Sequence, residues 1–162
     1  MLSKKLAAAI NEQINAELWS GYLYLSMSTY FEDKGLSGMA HWMRHQAEEE
    51  QEHAMKFYKY MVERGERVLL KAIDAVETEF AGIVPVFEET LKHEQLVTSL
   101  INNLYSIAVE DKDYASQSFL NWYVDEQVEE EANAQEILDK LAIVGDKGNG
   151  LFMLDKMLGE RG

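Results

Sequence analysis

The sequence predicts an all-α fold: a four-helix bundle with one long crossover and a short fifth helix at the C-terminus. Three observations predict it. Only one proline, Pro85, and ten glycines interrupt 162 residues, which favours long helices over many short strands. Four long segments carry apolar residues at alternating steps of three and four, the spacing of a buried helical seam. The connections between them run short, long, short, and those lengths constrain the topology.

The first helix runs from about Ser3 to Glu32, and "DKGLSG" ends it. Gly35 suits a helix C-terminus and Ser37 the next N-cap. The second helix continues to about Gly65. The third begins near Pro85, whose fixed φ suits a first helical turn, and ends near "EDKD". The fourth starts just beyond and reaches about Val144, where "GDKGNG" breaks the pattern. The apolar tail "LFMLDKML" predicts one more short helix. A single domain over 1–162 follows, with the bundle at about 3–144 and the tail helix at about 148–158.

Short turns make the first two helices an antiparallel pair, and likewise the last two. About 19 residues join the second helix to the third. At ~3.3 Å per extended residue they reach ~60 Å, whereas a helix of about 27 residues is ~40 Å long. The link can therefore traverse the whole bundle.

Composition narrows the function. An apolar content of 47% excludes disorder. A formal charge of −14 argues against nucleic acid and anionic membranes as partners and attracts cations. No apolar run approaches the ~20 residues of a membrane helix. The opening "MLSKKLAAAINEQ" is short for a cleaved leader. With no cysteine, disulfides and thiolate metal centres are excluded. A chain of the cytoplasm is expected.

The buried seams contain an anomaly. Helix one carries Ala7, Ile10, Ile14, Glu17, Gly21, Tyr24, Ser28 and Phe31 on one stripe. Helix two carries Met39, Met43, Gln46, Glu50, His53, Phe57 and Tyr60. Helix three carries Ile83, Phe87, Thr90, Glu94, Val97, Ile101 and Leu104, and helix four Leu120, Tyr123, Gln127, Glu130, Ala134, Ile137 and Leu141. Each stripe has ionisable groups near its middle. One such acid would usually mean an edge position or a slipped register. The same anomaly on four stripes at mid-helix does not.

A buried, unpaired carboxylate costs several kcal/mol or takes up a proton. No lysine or arginine lies on these stripes to neutralise Glu17, Glu50, Glu94 and Glu130. Metal cations are the remaining partner, and two divalent ions would balance four carboxylates. Oxygen ligands with one imidazole and no sulfur suit iron or manganese better than structural zinc. Glu50 and His53, at i and i+3, share a helical face. Such a Glu-x-x-His element is a recognised ligand unit in bundles that hold two metals between their helices.

With these residues in view, the chain resembles the ferritins, specifically the haem-free bacterial type. "NEQINAELWSGYLYLSMS", "EEEQEHAMKFYKYM", "FEETLKHEQLV" and "FLNWYVDEQVEEE" look like that family's motif regions in order and spacing. The resemblance spans essentially the whole chain. It implies that Glu17 and His53 are terminal ligands to a first iron, that Glu50 bridges two irons, and that Glu94 holds the second, with Gln127 and Glu130 nearby. It also implies a third iron position using Glu49, Glu126 and Glu129 and sharing Glu130. Tyr24 would lie close to the irons as an electron donor, and Trp122 near the site.

The resemblance further implies ferroxidase activity on Fe(II) with O2 or H2O2. Ferric iron would be stored as hydrated oxide inside a hollow octahedral shell of 24 copies. The tail helix would line four-fold contacts, and acids near Asp111 and Asp113 would guide iron through three-fold pores. Two departures refine the match. "DEQVEEEANAQ" lacks the second Glu-x-x-His of the generic di-iron bundle, which argues against bacterioferritins and di-iron oxygenases. Gln51 stands where bacterioferritins carry a haem-ligating methionine, so no haem is expected.

Other polar residues have plainer readings. His41 and His45 share an outward face with Glu48 and Glu52, so a solvated face is expected rather than a zinc pair. His93 points about 100° from Glu94 and is structural or exposed. Trp122, on residue type alone, is core packing. Two alternatives to storage stay open: a di-iron oxidoreductase that removes peroxide without mineral, and a bundle whose acids bind cations structurally.

Overall fold

The computed structural model describes all of residues 1–162, and its regular elements are all helices. Its elements are α1 (Lys4–Asp33), α2 (Ser37–Glu63), α3 (Ile83–Glu110), α4 (Tyr114–Val144) and α5 (Gly148–Leu158). The predicted all-α class, the four long helices and the short fifth one are all present.

Local chemistry sets the helix ends. Ser3 accepts the Leu6 amide at 3.0 Å at the start of α1, and Asp113 accepts that of Ser116 at 3.0 Å at the start of α4. Gly35 takes a positive φ of 74° after α1. There the Leu36 amide reaches back to the Phe31 carbonyl at 2.9 Å, the six-to-one bond that closes a helix C-terminus. Pro85 falls at the third residue of α3, where its missing N–H has no intrahelical partner to lose. The cap of α2 differs from expectation. Ser37 lies inside the helix, Leu36 holds the cap position, and no side chain of that turn caps it. The acceptor comes instead from α5: Asp155 Oδ1 takes the Met39 amide at 2.8 Å. Helix α5 can approach this closely because residue 38 is glycine. A Cβ there would meet the Asp155 carbonyl oxygen at 1.7 Å.

Two apolar clusters define the topology. One joins the start of α1 (Leu6, Ile10, Ile14), the end of α2 (Phe57, Met61), the end of α3 (Ile101, Leu104) and the start of α4 (Leu120, Tyr123). The other joins the end of α1 (Tyr24, Phe31), the start of α2 (Met39, Met43), the start of α3 (Val86, Phe87), the end of α4 (Ile137, Leu141) and α5 (Leu154, Leu158). Helices α1 and α2 are therefore antiparallel, as are α3 and α4, while α2 and α3 run the same way. The connection from α2 to α3 must return along the full bundle. It does so as an extended strap on α1. Asn11 exchanges two hydrogen bonds with the Leu69 backbone at 2.6 and 2.7 Å, Ser26 donates to the Glu77 carbonyl at 2.5 Å, and Phe80 packs edge-on to Tyr30 at 5.4 Å. Arg64, at the end of α2, pairs with Asp113 at 2.9 Å and so ties α2 to the start of α4. Asp113 is thus engaged in capping and this ion pair, and Asp111 accepts the Ser3 hydroxyl at 2.5 Å.

Candidate metal centre

Between the two apolar clusters lies a polar layer. Each of the four long helices contributes one buried acid to it: Glu17 from α1, Glu50 from α2, Glu94 from α3 and Glu130 from α4, all 3% exposed or less. His53, one helical turn beyond Glu50, is buried with them. The seam periodicity explains the placement, since each acid occupies a position that its neighbours on the stripe fill with core side chains. No lysine or arginine pairs with any of the four, and the His53 Nδ1 lies 3.6 Å from Glu50 Oε2.

Two groupings have ligand atoms within 4.8 Å of one another: Glu17 with Glu50 and His53, and His53 with Glu126 and Glu130. His53 joins the two. Glu94 belongs to neither, and both of its oxygens accept hydrogen bonds. Tyr24 donates its hydroxyl to Oε1, and the Gln127 amide donates to Oε2 at 3.1 Å. Gln127 also reaches the Glu94 carbonyl at 3.1 Å and Thr98 at 3.3 Å, so here it orients Glu94 with its NH2 group. Glu129 is exposed, and Glu49 turns toward Arg161; neither enters a grouping of ligand atoms.

Several supporting residues were not singled out from sequence. Gln13 donates to Glu17 Oε1 at 3.0 Å and Gln46 to Glu130 Oε2 at 2.8 Å. The Tyr123 hydroxyl donates to the His53 carbonyl at 2.7 Å, fixing that turn of α2. Gln13 stands at i−4 from Glu17, and Gln46 lies on the α2 stripe; these were the available signals.

The electrostatics are those of buried acids gathered in one layer. Burial, followed by repulsion from Glu50, pushes the Glu17 carboxyl well above its ordinary range. Burial also pushes Glu50 well up, with Glu94 and Glu130 adding to it against the hydrogen bond with Glu17. Burial raises Glu94, although the Tyr24 and Gln127 hydrogen bonds oppose it. Glu130 is pushed up to about 8 by burial and then by Glu94. The buried Tyr24 phenol is held protonated by burial and by the Glu94 charge. Glu17 Oε2 and Glu50 Oε2 are buried without any hydrogen-bond partner. An unpartnered buried carboxylate oxygen carries the full desolvation cost. Divalent cations would remove it, and the donor set of carboxylates and one imidazole fits iron.

An opening of about 330 Å³ leads from the surface to His53, lined by Glu49, Glu52, Lys56, Trp122 and Glu126. Trp122 is not core packing: it is 39% exposed, stands edge-on 5.3 Å from His53, and carries Lys56 over its face at 3.9 Å. A side chain that borders an opening has no neighbours on one side, which residue type alone does not reveal. His41 and His45 likewise depart from the solvated face expected of them. Both are half-buried: His41 Nε2 lies 2.5 Å from the Arg161 carbonyl of the C-terminal residues, and His45 Nδ1 lies 3.4 Å from Glu49 on its own helix. His93 is half-buried and structural. Its Nε2 meets Ser20 Oγ at 2.7 Å, its ring packs on Trp19, and burial lowers it to about 4, so it is neutral.

Known proteins share this architecture. The ferritin-like domain family model matches residues 7–144. The bacterial non-heme ferritin of Bacteroides fragilis strain 638R is 49% identical over 161 residues, covering 99% of this chain and 100% of that one. That of Staphylococcus saprophyticus is 44% identical, covering 99% and 96%. Among solved structures, an open-pore ferritin from the hyperthermophilic archaeon Archaeoglobus fulgidus superposes with a TM-score of 0.98 at 46% identity, covering all of both chains. A form of the Archaeoglobus fulgidus ferritin engineered toward closure by site-directed mutagenesis matches equally well, with a TM-score of 0.98. A bundle with one full-length crossover, an acid from each helix in its central layer and near-complete identity-bearing overlap with these proteins lead to one conclusion: the chain belongs to the ferritin family, among its non-haem bacterial-type members.

Proposed function

We propose that this protein takes up Fe(II), oxidises it between the four helices and stores the ferric product as a hydrated oxide inside a hollow shell of 24 copies. The observation that carries the reading is the central layer: four buried acids and one histidine, no lysine or arginine to balance them, and two carboxylate oxygens with no partner. Family membership supports iron as the cation and a cage as the assembly.

In this reading Glu17 and His53 hold one Fe(II), Glu94 holds the other, and Glu50 lies between them, with Glu130 adjoining. Glu126, Glu129 and Glu49 form an outer position that shares Glu130. Each Fe(II) gives up one electron. The two electrons reduce O2 to H2O2, or H2O2 to two waters, and two protons are taken up in either case. The acids release their protons as iron binds, because a ligand must be deprotonated. Tyr24 orients Glu94 through its hydroxyl and is the nearest phenol that could supply a further electron. Gln13, Gln46 and Gln127 hold three of the carboxylates in place. One bundle has no room for mineral, so storage requires closed assembly. The proposed setting is the cytoplasm; no helix is long and apolar enough to cross a membrane.

The test combines assembly mass with excess Fe(II) added in air, following oxygen uptake and iron retained per shell. Small oligomers, or retention of only a few irons per chain, would remove storage and leave peroxide removal or structural cation binding. Glu50→Ala is expected to abolish the fast phase of oxidation; an unchanged initial rate would sink the site assignment.

A further inference from the structure

The residues after α5 fold back onto α2, and Arg161 anchors them there. Its guanidinium donates to Glu49 Oε2 at 2.7 Å and to the Trp42 carbonyl at 3.4 Å. It also stacks over the Trp42 ring at 4.7 Å, while its own carbonyl meets His41 Nε2 at 2.5 Å. The side chains of this ion pair are 18% and 28% exposed. Glu49 lines the same opening as His53 and Glu126. The acid at the mouth of the metal centre is thus held by a cation that the chain itself supplies.

We propose that Arg161 is a positioning residue of the outer metal position, competing with the metal for the Glu49 carboxylate, so that filling this position releases the C-terminal residues from α2. The inference rests on the proposed role of Glu49 as an outer ligand. Held by Arg161, the Glu49 carboxylate enters no grouping of ligand atoms, so it must swing away from the guanidinium to reach a cation beside His53, Glu126 and Glu130. Occupancy and tail docking therefore oppose one another. Linkage requires the effect to be reciprocal: whatever Arg161 takes from outer-site affinity, metal takes from tail docking. Neither Glu17 nor Glu50 bonds to the tail, so the direct competition falls on the outer position. Arg161 would in this way favour filling of the inner pair before the outer position.

The experiment uses the assembled full-length protein and Zn²⁺, which binds without being oxidised, with calorimetry to count and rank the binding classes. Arg161→Ala is expected to tighten the weakest class by about tenfold, the effect of a modest coupling between sites. Glu49→Gln is expected to abolish that class whether or not Arg161 is present. If Glu49→Gln removes the class but Arg161→Ala leaves its affinity unchanged or weaker, the competition is overturned and the role of Glu49 stands. If Glu49→Gln leaves the class intact, the outer-site role of Glu49 fails, and the competition with it. A second measurement needs no variant: hydrogen exchange followed by mass spectrometry over 155–162, with and without saturating Zn²⁺. Faster exchange on saturation supports release of the tail, and unchanged exchange overturns it.

Discussion

Replacing Glu130 by glutamine should stabilise the metal-free protein at alkaline pH. Glu130 is 3% exposed, and its carboxyl is pushed from 4.5 to about 8. In the unfolded chain it titrates near 4.5, so between these values the folded state binds the extra proton. The sign follows directly: stability associated with this group is full below about 4.5 and is lost as pH rises through about 8. A rise of that size corresponds to about 5 kcal/mol, an upper figure because the neighbouring acids titrate together. Glutamine keeps the shape and removes the charge. Its carbonyl can accept from Gln46 Nε2 as Glu130 now does, and its NH2 can donate to Gln46 Oε1, a buried oxygen that has no partner. For a chain of this size 1 kcal/mol moves Tm by about 2–4 °C. In chelator-treated protein scanned at one rate and one concentration, Glu130→Gln should match the parent at pH 5 and exceed it by about 10 °C at pH 8.5. Parallel pH profiles, or a variant less stable than the parent at pH 8.5, would refute the account of the central layer as an uncompensated set of charges.

Three further outcomes are expected. Zn²⁺ added to metal-free protein at pH 7 should release at least one proton per chain, from Glu130 and its neighbours, and the release should shrink above pH 8; heats measured in buffers of different ionisation enthalpy will show it. Tyr24→Phe leaves Glu94 Oε1 buried without its donor, which should lower metal-free stability by ~1–3 kcal/mol and slow single-turnover Fe(II) oxidation without abolishing Fe(II) binding. Gly38→Ala drives a methyl group into the Asp155 carbonyl and removes the cap that α5 provides to α2. A loss of ~2–4 kcal/mol is expected, from overpacking and a lost cap together, and native mass spectrometry should show impaired assembly.

The central layer was legible in the sequence because it depends on helical phase alone. Glu17, Glu50, Glu94 and Glu130 each sit where a long, uninterrupted seam calls for an apolar residue, and one proline in 162 residues leaves those seams unbroken. The direction of the crossover was legible for a similar reason, since only its length mattered. What was hidden depends on groups distant in the chain. Ser37 carried the sequence signal for a cap, but Asp155 is the residue that delivers one, more than a hundred residues later. His41 lies on an outward face of α2, which becomes a covered one only once the C-terminus folds across it. The exposure of Trp122 depends on an opening between α2 and α4 that no single helix encodes. The assignment of ligand roles came from resemblance rather than periodicity, which places acids in one layer without saying which of them touch.

The two apolar clusters lie at opposite ends of the bundle, with the charged layer between them. Each end is therefore cored by its own residues and closed without help from any ion. A protein that must load and discharge its cargo repeatedly needs its scaffold to be indifferent to whether the cargo is present. Here the work of holding the subunit together is confined to the ends, and the acids that would meet metal are confined to the middle. The layout resembles a bridge anchored at both banks, with the load carried on its central span.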